Sequence, residues 1–140
     1  LNMVITETGA AKAVSKALPD LKGKLTGSAI RVPTPNVSLA IMTLRLDRSA
    51  DRETLNETVR KHSLSGPLQY QLDYTSEPDI VSSDIIGSRA AVVFDADATI
   101  VHDDHVVLYG WYDNEFGYAC QVTRLMERMA GVKPKTYPTS

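Results

Sequence analysis

A hydroxyl group and a run of backbone N–H groups stand at the start of the first predicted helix. Thr8 and Gly9 precede an apolar pattern with helical spacing that continues to Leu18. The first turn of a helix has unpaired N–H donors and the positive end of the helix dipole, and glycine lets an anion approach the backbone closely. The pattern therefore predicts either a phosphate site or a threonine that only caps its own helix.

A second candidate is an arginine inside an apolar stretch near the end of a predicted strand. Arg31 has Ile30 and Val32 as its neighbours in sequence. A charged group in such surroundings needs a partner, and a guanidinium group can hold a phosphate through two parallel hydrogen bonds. Arg31 is therefore a candidate phosphate ligand, with a structural ion pair as the alternative.

The third candidate is the junction between the last strand and the last helix. Residues 111–118 contain four of the nine aromatic residues of the chain. Asp113 or Asn114 is the predicted N-cap of the helix. A side-chain amide held at this position could also fix the orientation of a planar carboxamide, since it offers both donors and acceptors.

Two further groups are assigned structural roles. His102, Asp103, Asp104 and His105 resemble a metal cluster, but aspartates favour the turn of a hairpin, so we predict a hairpin and no metal site. Cys120 lies within the last predicted helix and is interpreted as a small core residue, not as a nucleophile.

The predicted helices are interspersed among strands that are joined by hairpins. This order indicates an α+β fold, with helices on one face of a mixed or antiparallel sheet. No Gly-x-Gly-x-x-Gly motif is present, so no complete Rossmann domain is expected. The strand at residues 37–46 is apolar on both faces and is predicted to be central. Predicted helices span residues 9–18, 51–62 and 114–130; predicted strands span residues 3–5, 25–32, 37–46, 89–94, 98–101 and 105–112.

Composition narrows the class of protein. The 140 residues are 43% hydrophobic and 23% charged, as in one globular domain, and the net charge of −2 argues against a general nucleic-acid binder. Apolar runs are too short to cross a membrane. A single cysteine excludes an internal disulfide and indicates a reducing, cytoplasmic location. Because the chain opens on Leu1 and not on methionine, we expect a segment of a longer protein.

Four motifs occur in the order and spacing of phosphorylating glyceraldehyde-3-phosphate dehydrogenases. They are residues 8–13 (Thr-Gly-Ala-Ala-Lys-Ala), 24–27 (Lys-Leu-Thr-Gly), 31–38 (Arg-Val-Pro-Thr-Pro-Asn-Val-Ser) and 111–118 (Trp-Tyr-Asp-Asn-Glu-Phe-Gly-Tyr). Residues 81–84 also resemble this family. The resemblance implies the C-terminal part of such an enzyme: a catalytic-type α+β domain at residues 1–113, truncated at its N-terminus, a helix at 114–131 that packs on a nucleotide domain, and a tail at 132–140.

The resemblance also implies an activity for the parent enzyme. Such an enzyme oxidatively phosphorylates glyceraldehyde 3-phosphate to 1,3-bisphosphoglycerate with NAD, in glycolysis and gluconeogenesis, as a cytoplasmic homo-oligomer, a tetramer. NADP is the alternative cofactor. The family's nucleophilic cysteine and histidine base have no counterpart here, so no catalytic residue is assigned and the chain alone is predicted to be inactive. The alternatives are a fragment of erythrose-4-phosphate dehydrogenase and a non-catalytic, truncated assembly protein.

Five residues match ligand-binding positions of the family. Thr8 and Gly9 match the site of the attacking inorganic phosphate, and Arg31 matches the arginine that contacts the phosphate of the aldehyde substrate. Asn114 matches the asparagine that hydrogen-bonds the nicotinamide carboxamide, and Tyr118 lies close to the same ring. The expected partners are therefore a phosphorylated aldehyde and inorganic phosphate, with no nucleic acid and no membrane.

The last predicted helix carries apolar residues over a broader arc than one packed face requires. We therefore expect an exposed patch that includes some of Cys120, Leu125, Met126 and Met129, covered in the parent enzyme by the nucleotide domain.

Overall fold

The computed structural model describes residues 1–132 and contains two compact units, Leu1–Pro35 and a second unit that begins at Asn36. The predicted boundary at residues 113 and 114 stays a prediction, and the predicted tail lies outside the described residues from residue 133 onward. The elements of the first unit are β1 (Val4–Glu7), α1 (Ala10–Ala17) and β2 (Ser28–Arg31). Those of the second are β3 (Ser38–Arg45), α2 (Arg52–Leu64), β4 (Leu72–Thr75), β5 (Val92–His102), β6 (His105–Tyr112) and α3 (Phe116–Met129).

The first unit is a two-stranded antiparallel ribbon with one short helix. Val4 pairs with Arg31 at one end of the ribbon, and Glu7 pairs with Ser28 at the other. Helix α1 begins just after β1 and ends before Pro19, as the sequence predicts, because proline disfavours helical backbone in the residue before it. Every residue of this unit is half-buried or exposed.

The second unit contains a four-stranded sheet in the order β3-β6-β5-β4. Strands β3, β6 and β5 are antiparallel, and β4 runs parallel to β5. The prediction of an α+β fold with a mixed sheet is therefore confirmed. Helix α2 packs on β4 and β5 and turns Leu55 and Val59 inward, as their spacing indicates.

The prediction that residues 37–46 form a central strand is wrong. Within the described residues, β3 lies at an edge of the sheet and pairs only with β6. Leu39, Ile41 and Met42 of this strand are exposed. Apolar residues on both faces indicate that a strand can be covered from above and below, but they do not determine how many strands flank it in the plane.

Residues 92–94 of the strand predicted at 89–94 and the strand predicted at 98–101 are parts of one continuous strand, and residues 89–91 precede it. Strand β5 runs through both segments, and its register with β6 shifts between Asp95 and Ile100. The Asp95 side chain accepts a hydrogen bond from the Ala98 backbone N–H, and the Thr99 hydroxyl donates to the Asp95 carbonyl oxygen. These local bonds replace regular pairing, so the sequence pattern is interrupted while the strand continues.

Helix α3 exposes much of its apolar surface. Leu125, Met126 and Met129 are 58%, 64% and 80% exposed, which confirms the predicted patch, and Cys120 is half-buried. Gly131 follows the helix with a φ of 70° and ends it. Among residues 1–132, no helix is long and apolar enough to span a membrane.

Candidate functional site

A buried carboxylate organises the junction between β6 and α3. Asp113 is only 3% exposed. One carboxylate oxygen accepts hydrogen bonds from the backbone N–H groups of Glu115 (3.0 Å) and Phe116 (2.9 Å), and the other accepts one from the Gly87 N–H (2.9 Å). The N-cap residue of α3 is Glu115, so the predicted N-cap at Asp113 or Asn114 is displaced by one or two residues, although the Asp113 carboxylate does accept from the N–H groups at the helix start. The same carboxylate also binds Gly87, which is 26 residues away in sequence.

The same carboxylate accepts a fourth hydrogen bond, from the Asn36 side-chain amide at 3.1 Å. The hydrogen bond from the Gly87 backbone, followed by that from Phe116, lowers the pKa of Asp113 from its ordinary 3.8 to about 2. Asp113 consequently stays ionised at neutral pH. The carboxylate thus links the start of α3 to Asn36, which lies two residues before β3.

Asn114 follows Asp113 and presents its side-chain amide to solvent. The Ser38 hydroxyl oxygen lies 3.0 Å from its Oδ1 atom and 2.8 Å from its Nδ2 atom. A carboxamide can donate two hydrogen bonds and accept two, so Asn114 keeps at least one N–H and one lone pair for a ligand. These are the two functions that a second carboxamide, such as that of nicotinamide, requires. Asn114 therefore has the hydrogen-bonding capacity that such a group needs.

Tyr118 follows Asn114 in the sequence, and its side chain is 70% exposed. Tyr118 lies in the first turn of α3, whereas Asn114 precedes the helix, which begins at Phe116. An exposed aromatic ring can contact a flat heterocycle.

Val37 has a strained backbone. Its φ is 75°, in the left-handed region that β-branched residues rarely adopt, and its side chain is only 8% exposed. The side chain packs in a small core with Ile85 and Val93. Val37 lies between Asn36, which binds Asp113, and Ser38, which binds Asn114. Sequence reasoning assigned no role to these three residues, although they lie within the motif at residues 31–38.

In the first unit, Thr8 and Gly9 lie at the start of α1. Gly9 is the N-cap and is exposed, and the Thr8 hydroxyl oxygen accepts a hydrogen bond from the Ala10 N–H at 3.2 Å. The predicted N-cap is thus displaced by one residue. Because a hydroxyl group can donate as well as accept, Thr8 keeps its proton for another acceptor.

Arg31 lies at the end of β2, opposite Val4, and is exposed. Within residues 1–132 its guanidinium makes neither a hydrogen bond nor an ion pair. Arg31 pairs with Val4, which lies four residues before Thr8. Along the ribbon, Arg31 and Thr8 are therefore about 13 Å apart. The phosphate-binding role of Thr8, Gly9 and Arg31 stays a prediction.

The histidine- and aspartate-containing segment forms the predicted hairpin between β5 and β6. Asp103 occupies the turn with a φ of 54°. Asp104 binds the Arg45 Nε atom at 2.9 Å and the His105 Nδ1 atom at 2.6 Å. The hydrogen bond from Arg45 is the main reason that the pKa of Asp104 is lowered. The part of the chain that the structure describes contains no group of three or more potential metal ligands.

Comparison with known proteins shows which family the chain is similar to. The family model described as glyceraldehyde 3-phosphate dehydrogenase, C-terminal domain, matches residues 1–114. The chain is 61% identical over 138 residues to a glyceraldehyde-3-phosphate dehydrogenase-like protein of Pseudomonas aeruginosa (strain UCBPP-PA14), covering 99% of this chain and 30% of the relative. It is 50% identical over 129 residues to glyceraldehyde-3-phosphate dehydrogenase of Schistosoma mansoni, covering 91% and 38%.

A third relative, glyceraldehyde-3-phosphate dehydrogenase of Danio rerio, is 48% identical over 130 residues, with 92% of this chain and 38% of the relative covered. The chain therefore spans roughly a third of the length of these curated relatives. Since the family model matches most of the chain, the chain belongs to the family of glyceraldehyde 3-phosphate dehydrogenase C-terminal domains.

Proposed function

We propose that this chain acts as the C-terminal part of a full-length enzyme, a phosphorylating glyceraldehyde-3-phosphate dehydrogenase, in which a nucleotide-binding domain precedes it. That enzyme oxidises glyceraldehyde 3-phosphate and joins the product to inorganic phosphate. The names of the relatives support this proposal. The observation that carries it is the exposed Asn114 amide, anchored by Ser38 and retaining a free donor and a free acceptor.

Asn114 and Tyr118 would hold the nicotinamide end of NAD, with NADP as the alternative. NAD, when bound, supplies the hydride acceptor of the oxidation. Asn114 would donate to and accept from the carboxamide, which sets the face of the ring that meets the substrate. Hydride transfer requires close approach in one orientation, so the contribution of Asn114 is positional.

Thr8, Gly9 and Arg31 would bind the phosphate groups. Thr8 retains a hydroxyl donor, Gly9 is exposed at the positive end of α1, and Arg31 carries a guanidinium that no described carboxylate occupies. Each of these features suits a doubly charged oxyanion. The cysteine nucleophile and the histidine base would come from the portion of the enzyme that precedes this chain.

The parent enzyme would be a cytoplasmic homo-oligomer, a tetramer. The exposed apolar residues of α3, including Leu125, Met126 and Met129, would be covered by the nucleotide-binding domain. The exposed side chains of the edge strand β3, including Leu39 and Ile41, would lie at a contact between subunits.

Steady-state kinetics of the full-length enzyme test the proposal. Asn114→Ala removes two hydrogen bonds to the carboxamide, so kcat/KM for NAD should fall about five- to hundredfold. Gln69→Ala removes an exposed amide with no described partner and serves as the matched control. Wild-type kinetics in Asn114→Ala would contradict the assigned role. A preference for erythrose 4-phosphate over glyceraldehyde 3-phosphate would replace the proposed substrate, and no activity with either would favour the non-catalytic alternative.

A further inference from the structure

We propose that Ser38 is a positioning residue for the Asn114 carboxamide and that the strained backbone at Val37 holds Ser38 in place. This inference rests on the proposed function, since it concerns how Asn114 is prepared to receive the nicotinamide. It concerns three residues that are not themselves assigned to any ligand: Asn36, Val37 and Ser38.

The two residues on either side of Val37 contact two consecutive residues of the junction between β6 and α3. Asn36 donates to Asp113 at 3.1 Å, and Ser38 lies within 3.0 Å of both polar atoms of Asn114. Ser38 is also paired with Tyr112 in the sheet, so its backbone is held against β6. The segment at residues 36–38 therefore contacts three consecutive residues of the junction, 112–114, and Ser38 contacts the side-chain amide of Asn114.

The backbone conformation of Val37, between these two contacts, is energetically costly. A β-branched residue with a φ of 75° is strained, and such strain persists only where the surroundings enforce it. Burial of the Val37 side chain with Ile85 and Val93, together with the contacts of Asn36 and Ser38, supplies that enforcement. A return of Val37 to extended backbone would turn Asn36 and Ser38 relative to one another, and both contacts could not be kept.

Stability alone does not require the contact between Ser38 and Asn114. Asn114 is exposed, so water can satisfy its amide when Ser38 is removed. Within residues 1–132, Ser38 is the only hydrogen-bond partner of the Asn114 side chain. Removing the Ser38 hydroxyl should therefore free the rotation of the amide while leaving the fold intact. The contact restricts the amide before the ligand arrives, which lowers the entropic cost of binding.

The experiment measures NAD binding to the full-length apoenzyme by isothermal titration calorimetry, beside its thermal unfolding midpoint. Ser38→Ala should weaken NAD binding about three- to tenfold, the effect of one hydrogen bond, with an unchanged midpoint. Ser38→Thr keeps the hydroxyl group and should recover most of the affinity. Ser49→Ala, which removes an exposed serine without a described side-chain partner, should bind NAD like the wild type.

A double-mutant cycle separates this inference from the proposed function. If Ser38 acts through Asn114, Ser38→Ala should have no further effect on NAD affinity in the Asn114→Ala background. Additive losses, wild-type affinity in Ser38→Ala, or no recovery in Ser38→Thr would overturn the positioning role while leaving the proposed function standing. An Asn114→Ala enzyme that binds NAD normally, or a wild type that does not bind it, would overturn the proposed function and this inference together.

Discussion

Substitution of Gly117 tests how α3 packs against residues 88–90 of the same unit. An alanine Cβ atom at this position would lie 2.8 Å from the Ala90 carbonyl oxygen and 3.4 Å from that of Ser88. The first distance is shorter than carbon and oxygen atoms tolerate, and the obstacle is backbone, which cannot swing aside like a side chain. Gly117 is buried in the first turn of the helix, two positions after the capped N–H of Glu115.

The magnitude follows from two opposing terms. Overpacking costs about 1–3 kcal/mol, and the better helix propensity of alanine offsets up to about 1 kcal/mol of this. The segment around Ala90 cannot move freely, because the Ala91 N–H binds the Gln71 carbonyl at 2.8 Å and the Ser88 N–H binds the Ile85 carbonyl at 3.0 Å. We therefore expect Gly117→Ala to lower the free energy of unfolding by about 1–2 kcal/mol and the melting temperature by about 3–8 °C.

Urea unfolding followed by the fluorescence of Trp111, the only tryptophan, provides the assay. Thr123→Ala, an exposed substitution in the same helix, is the control and should change the free energy of unfolding by no more than about 0.5 kcal/mol. If Gly117→Ala is as stable as the wild type, the close approach of α3 to residues 88–90 is wrong, and with it the placement of the Asn114 amide.

Three further predictions concern charge and activity. The native pKa of Asp113, about 2, lies below its ordinary 3.8, so stability should fall as the pH drops from about 4 towards 2. Asp113→Asn should flatten that fall in urea midpoints, and an equally steep fall would contradict the assignment. In the full-length enzyme, Arg31→Ala should raise KM for phosphate or the phosphorylated aldehyde roughly ten- to hundredfold, because a charged hydrogen bond is lost. Lys22→Ala, which removes another exposed positive charge of the first unit, should not. The 140-residue chain alone should show no phosphate-dependent reduction of NAD by absorbance, and any activity that persists after contaminating enzyme is excluded would refute this.

Local features of the fold could be predicted from the sequence because neighbouring residues produce them. The aspartate-rich turn between β5 and β6, the end of α1 before Pro19 and the glycine after α3 each depend on the backbone preferences of a few adjacent residues. The hydrogen bonds from the helix start to Asp113 belong to this group, since the carboxylate and the N–H groups of Glu115 and Phe116 lie within three residues of one another.

The breadth of the apolar arc on α3 likewise predicted an exposed patch. Four motifs in register indicated the family, because their order and spacing are properties of the sequence itself.

The anchoring of the candidate site was decided only by the tertiary structure. The hydrogen bonds from Asn36 to Asp113 and between Ser38 and Asn114 join residues 77 and 76 positions apart, and no local pattern predicts such contacts. The left-handed backbone of Val37 runs against the preference of a β-branched residue and persists only because its surroundings enforce it. The position of β3 at the edge of the sheet was likewise decided by contacts between distant segments of the chain. Strand order depends on which segments meet in three dimensions, whereas the alternation of side chains reports only which faces can be covered.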